Sequence, residues 1–130
     1  MALKVLVVED SQLAAESLES FFKEVCGFEV FMASGGDKAL ELLKAERPPV
    51  VLLNLYLGPQ DMSGMRILKE AKANDPDIIV YVLTGFNDAD LKQKSLAQGA
   101  RDYLVKPLKH AILKAKLDEA ATEIAKREGG

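Results

Sequence analysis

Val50-Val51-Leu52-Leu53-Asn54-Leu55 is an apolar run with a single polar residue near its end. Pro48-Pro49 bounds it on one side and Gly58-Pro59 on the other. A short continuous apolar run between such breakers reads as a strand buried on both faces, the kind found in parallel sheets covered by helices. A polar side chain at the carboxyl end of a central parallel strand points into the crevice where α/β proteins bind ligands. Asn54 therefore stands at a site, unless it only caps the following loop, as asparagine often does.

The flanking sequence repeats one pattern. Leu3 to Val8 is a second apolar run, ending in Glu9-Asp10-Ser11. A helix follows, with Ala14, Leu18, Phe21, Phe22 and Val25 at helical spacing, and Gly27 stops it. Phe28 to Ala33 is a strand interrupted by Glu29, which suits a sheet edge. Ser34 and Asp37 have the spacing of a capping box ahead of a helix whose inner face is Ala39, Leu40 and Leu43. After Gly64 a third helix turns Ile67, Leu68 and Ala71 inward and ends before Pro76. Ile78 to Leu83 is a strand running into Thr84-Gly85, and Asn87 or Asp88 caps a fourth helix closed by Gly99. Tyr103-Leu104-Val105 is a short last strand before Lys106-Pro107, and the final helix runs from about Leu108 to Lys126.

Five strands alternating with five helices predict a parallel sheet covered on both faces, a doubly wound α/β sandwich. At 130 residues the chain is one domain with a sizeable core. Its net charge of −3 argues against direct nucleic-acid binding by this domain. No apolar stretch approaches membrane-spanning length, and no charged-then-apolar leader is present. The lone Cys26 forms no internal disulfide, which fits a reducing cytoplasm, and it reads as a small buried apolar residue.

The strand ends collect Glu9, Asp10, Asn54, Thr84 and Lys106 on one edge of the sheet. Glu9 and Asp10 are hard oxygen donors suited to Mg²⁺, with the Asn54 oxygen and a backbone carbonyl nearby. Lys106 brings a compact positive charge for the carboxylates or a phosphoryl oxygen, and the Thr84 hydroxyl can donate to that oxygen. This is equipment for receiving a phosphoryl group, without a nucleophile: a carboxylate attacks phosphorus, whereas a carboxamide is neutral and its nitrogen lone pair is delocalised.

Glu9-Asp10, Asn54, Thr84, Tyr103 and Lys106-Pro107 stand at the spacing of the response-regulator receiver domains of two-component signalling, and the chain resembles that CheY-like family over essentially its whole length. The resemblance implies the flavodoxin-like strand order 2-1-3-4-5. It implies Glu9 and Asp10 as the acidic metal pair, position 54 as phosphoacceptor, and the Tyr56 carbonyl as backbone metal ligand. Thr84 and Tyr103 would be the switch pair, Tyr103 moving between exposed and inward rotamers. Lys106 would sense phosphate, and the Lys106–Pro107 bond would be cis. The implied partner is a sensor histidine kinase or another signalling protein, and the domain itself is not an enzyme.

Two features depart from the family. Its acceptor is aspartate, and its loop into the third helix is usually shorter than Leu57 to Gly64. Asn54 is a natural loss of the acceptor, an Asp-to-Asn replacement, or an incidental change in a decayed site. The intact acidic pair and Lys106 argue against decay. In every case Mg²⁺ binding weakens, Lys106 leans on Asp10, and the switch rests in its inactive population. His110 reads as solvated.

Leu113, Leu117, Ala120 and Ile124 form a row on the last helix. They are either a core stripe, in competition with Leu108, Ile112 and Ala115, or a face for dimerisation or an output domain. Two other classes share the fold. A flavodoxin-like flavin carrier needs a Ser/Thr/Gly-rich phosphate loop where Glu9-Asp10-Ser11-Gln12 places carboxylates. A Mg²⁺-dependent phosphatase with Asp10 as nucleophile usually has a second aspartate at the position of Gln12. Both rank behind the receiver.

Overall fold

The computed structural model describes residues 2–56 and 63–129. The expected lengthening of the loop into the third helix falls mostly on 57–62, outside the described residues. In chain order the elements are β1 (Leu3–Val8), α1 (Gln12–Glu24), β2 (Phe28–Ala33), α2 (Gly36–Glu46) and β3 (Val50–Asn54). They continue as α3 (Gly64–Asn74), β4 (Ile79–Thr84), α4 (Ala89–Ala97), β5 (Asp102–Val105) and α5 (His110–Gly129). The five strands are parallel in the order β2-β1-β3-β4-β5, the predicted flavodoxin-like arrangement.

Side chains alternate along each strand and divide the core into two layers. Leu6, Val8, Val51 and Leu53 face α2, α3 and α4, meeting Ala39, Leu43, Ile67 and Leu68. Val5, Val7, Val50 and Leu52 face α1 and α5, meeting Phe21, Leu113 and Leu117. Burial on both faces accounts for the nearly unbroken apolar run of β3. β2 is an edge strand, and it carries the interrupting Glu29.

The structure corrects some local expectations and decides between the alternatives in others. α2 starts at Gly36 with Gly35 as N-cap, which contributes no side-chain cap, so Ser34 lies one residue too early for a capping box. Asp37 sits in the first turn instead, where a carboxylate suits the positive end of the helix dipole. Asp88, rather than Asn87, caps α4 by accepting from the amides of Asp90 and Leu91 at 2.9 and 3.1 Å. Cys26 is exposed. α1 ends at Glu24, so Cys26 falls in the turn leading to Gly27, off the helix's apolar face. On α5, the row Leu113, Leu117, Ala120 and Ile124 is core. It is therefore unavailable to a partner, while Ile112, on the outer side, is 45% exposed.

The turn into α3 is built on a close approach. The Gly64 amide donates to the Leu55 carbonyl at 3.0 Å. A Cβ at Gly64 would lie 2.5 Å from that oxygen. Ser63 caps the same helix, accepting from the Arg66 amide at 3.3 Å. The start of α3 is thus pinned directly behind the end of β3, where Asn54 stands.

Candidate functional site

Parallel pairing brings four strand ends into line. Asn54 closes β3 and Thr84 closes β4. Glu9 follows β1, its amide still donating to the Ala33 carbonyl at 2.9 Å. Lys106 follows β5, its amide donating to the Thr84 carbonyl at 2.7 Å. Both flanking residues therefore continue their strands' backbone pairing, which sets the direction of their side chains.

Glu9 is the centre of the site and is 3% exposed. Its Oε1 accepts from Lys106 Nζ at 2.5 Å. Its Oε2 accepts from Asn54 Nδ2 at 2.7 Å and from the Ser11 amide at 3.3 Å. A buried carboxylate is tolerated when paired and hydrogen-bonded, and this one has three donors. The same Asn54 nitrogen donates to Asp10 Oδ1 at 3.0 Å. One carboxamide thus links both acids. Lys106 pairs with Glu9 and not with Asp10, contrary to expectation: Glu9 points into the crevice, whereas Asp10 lies on the exposed side.

Thr84 and Tyr103, the pair the resemblance expects to act as a switch, meet through a residue the sequence did not single out. Thr84 is 1% exposed, and its Oγ1 accepts from the Phe86 amide at 3.1 Å. Tyr103, 6% exposed, holds the inward of its two expected orientations and donates its hydroxyl to the Phe86 carbonyl at 2.6 Å. Thr84 and Tyr103 therefore hold the amide and the carbonyl of one residue, Phe86, which is itself 58% exposed. Backbone groups carry both bonds, so residue identity at position 86 holds no signal for them. The Lys106–Pro107 peptide is cis, as the resemblance implied. His110 is exposed, with its ring edge-on to Phe21 at 5.2 Å.

Behind Tyr103, Asp102 bonds Lys116 of α5 at 2.7 Å. Burial pushes the Asp102 carboxyl up. The bonds from Lys116 and the Tyr103 amide outweigh that push, and the carboxyl titrates below its ordinary value. Lys116 is correspondingly raised by its bond to Asp102. Sequence spacing gave no sign of this pair, because its members come from separate elements.

The sequence matches the response regulator receiver domain family over residues 5–118. The chain belongs to that family. This receiver is 34% identical over 104 residues to sporulation initiation phosphotransferase F of Bacillus subtilis, covering 80% of this chain and 82% of that protein. Its structure resembles the signal receiver domain of a putative Luxo repressor protein from Vibrio parahaemolyticus, with a TM-score of 0.89 at 26% identity. That match covers 98% of this chain and 96% of the other. It also resembles a chain of the CheX-CheY-BeF3-Mg complex from Borrelia burgdorferi, with a TM-score of 0.78 at 25% identity over 94% of this chain and 88% of that one. The receiver spans 31% to 51% of the length of the first curated relatives it matches. Receivers are signalling modules of two-component systems, which sets aside the flavin-carrier and phosphatase alternatives. No helix among the described residues is long and apolar enough to cross a membrane.

Receiver domains bind Mg²⁺, and the chemistry of the donors here fits that ion in part. Glu9 and Asp10 are hard oxygen ligands. However, Glu9 Oε1 is engaged by Lys106, and Glu9 Oε2 and Asp10 Oδ1 are engaged by the Asn54 carboxamide. Among the described residues, no group of three or more His, Cys, Asp or Glu side chains is placed to hold a metal. Tyr56, proposed from the resemblance to lend its carbonyl, follows Leu55 directly, and its side chain is exposed.

Proposed function

We propose that this receiver conveys signals through protein contacts and does not accept a phosphoryl group at position 54. The whole chain, 1–130, is taken as one receiver unit working in the cytoplasm. The carrying observation is the Asn54 nitrogen, which donates to Glu9 and Asp10 from the end of β3. Acyl phosphate formation needs a carboxylate oxygen there to form the new O–P bond while the donor's O–P bond breaks. A carboxamide supplies no such oxygen nucleophile.

The other residues keep receiver roles in this reading. Glu9, Asp10 and the Tyr56 carbonyl are the metal-facing set, and a bound Mg²⁺ would neutralise phosphoryl charge there. Lys106 offers its ammonium to the same oxygens. Thr84 and Tyr103 set the position of Phe86, which a partner reads at the surface. Loss of one negative charge at position 54 weakens Mg²⁺ binding: a charge pair near 4 Å at a partly wet site is worth about 4 kcal/mol before desolvation. A sensor histidine kinase or another signalling protein is the natural partner. Contact with a second copy or an output domain through α5 falls on its outer side, around Ile112, because the Leu113 row is in the core.

The test is to treat the chain and its Asn54→Asp variant with acetyl phosphate and Mg²⁺ and compare intact masses. Only the variant should gain a phosphoryl unit. A phosphoryl unit on Asn54 of the unaltered chain refutes the block. Failure of the aspartate variant refutes the assembled receiver site.

A further inference from the structure

The Asn54 carboxamide has two N–H hydrogens and sits between two carboxylates. Its nitrogen lies 2.7 Å from Glu9 Oε2 and 3.0 Å from Asp10 Oδ1, so one hydrogen serves each acid. Glu9's other oxygen is taken by Lys106. The carboxylate atoms that would turn toward a cation are therefore already bridged by a group of this chain. We propose that the Asn54 carboxamide takes the place of the divalent cation, bracing Glu9 and Asp10 so that the acidic pair closes without metal, and that Asn54 opposes Mg²⁺ binding rather than aiding it.

The proposal rests on the receiver reading and changes one role within it: position 54 ceases to be a weak metal ligand and becomes a competitor. The charge balance agrees. Glu9, Asp10 and Lys106 together carry one net negative charge, and the amide supplies two positive dipole ends to the two acids. With aspartate at 54 the same cluster would carry two net negative charges and no internal bridge, and a cation would be needed to close it. Because the amide's donors are spent on the carboxylates, its oxygen is turned away from them. A cation entering between the acids would first have to break both hydrogen bonds.

The experiment measures Mg²⁺ affinity by calorimetric titration of the full chain, Asn54→Ala and Asn54→Asp, with the thermal unfolding midpoint recorded with and without Mg²⁺. If the amide competes, Asn54→Ala binds Mg²⁺ about tenfold more tightly than the unaltered chain, the scale set by releasing hydrogen bonds to charged acceptors. Its unfolding midpoint then rises further with Mg²⁺ than that of the unaltered chain at the same concentration. If Asn54 is a metal ligand, Asn54→Ala binds Mg²⁺ equally or more weakly, and the proposal fails. Asn54→Leu, branched at the same atom as asparagine and lacking its donors, repeats the comparison should the alanine variant not fold. Asn54→Asp separates the two layers of the argument. Tight binding there with no gain in the alanine variant overturns the brace alone, whereas no binding in any variant overturns the metal-facing receiver site as well.

Discussion

At the scale of the residue, asparagine and aspartate differ by one terminal group, yet that group reverses the polarity of the site. A carboxylate at position 54 would add acceptors beside Glu9 and Asp10; the carboxamide adds donors, and both acids take them. Tyr103 shows how much can hang on one hydroxyl. Its bond to the Phe86 carbonyl is 2.6 Å long and ties β5 to the segment after β4. Tyr103→Phe should lower stability by about 1 kcal/mol, the net value of a typical hydrogen bond. Denaturant unfolding measures that loss. Amide exchange at Phe86 should quicken in the same variant, because the segment keeps only its bond to Thr84. An unchanged exchange rate would mean that Thr84 alone holds it.

The elements matter through where they end. β1, β3, β4 and β5 finish at one edge, and the polar residues occur there because the strand interiors are covered on both faces. α3 is held to this edge by the Gly64–Leu55 contact, where a methyl group would meet a carbonyl oxygen at 2.5 Å. The backbone must shift to admit it. Gly64→Ala should cost about 1–3 kcal/mol, the usual scale for overpacking, visible as a lower denaturant midpoint with little change in slope. The same shift moves Leu55, the neighbour of Asn54, so the variant should also disturb amide resonances around Glu9. A neutral Gly64→Ala would show that the start of α3 is free to back away.

Across the whole molecule, α5 is fastened to the sheet by more than its buried leucines. Lys116 bonds Asp102, and Arg101 makes a paired contact with Glu123 at 3.0 and 2.8 Å. That contact raises Arg101 and lowers Glu123 relative to their ordinary values. Asp102 and Glu123 thus both titrate lower in the folded chain than in the unfolded one. The sign follows from linkage. Their contribution is complete above the ordinary values of 3.8 and 4.5. It disappears as the pH falls through the lowered native values, because the unfolded chain takes up those protons first. Asp102→Asn should therefore be clearly less stable than the unaltered chain near neutrality and should lose that deficit progressively as the pH falls below 3.8 and through the lowered native value. A deficit that persists unchanged in acid would assign the loss to packing.

The alternation of apolar runs and amphipathic segments was enough to predict all five strands, all five helices and their layering. Periodicity survives folding because each strand and helix buries the face its own pattern defines. The same logic placed Glu9, Asp10, Asn54, Thr84 and Lys106 at one edge, since covered strands leave polar residues only their ends. Pairings across that edge were another matter. Which acid Lys106 would meet, where the hydrogens of Asn54 would go, and that Thr84 and Tyr103 would both close on Phe86 depend on side-chain direction and on backbone atoms carried by separate elements. Whether the Leu113 row faced the core or a partner was equally undetermined, because an apolar stripe shows that a helix face will be covered and leaves open by what. Cys26 failed in sequence for a related reason: a helix ending at Glu24 removes the face on which Cys26 would have been buried. The local pattern of the chain thus determined the elements and the edge they share, and only tertiary packing decided which groups at that edge bond to one another.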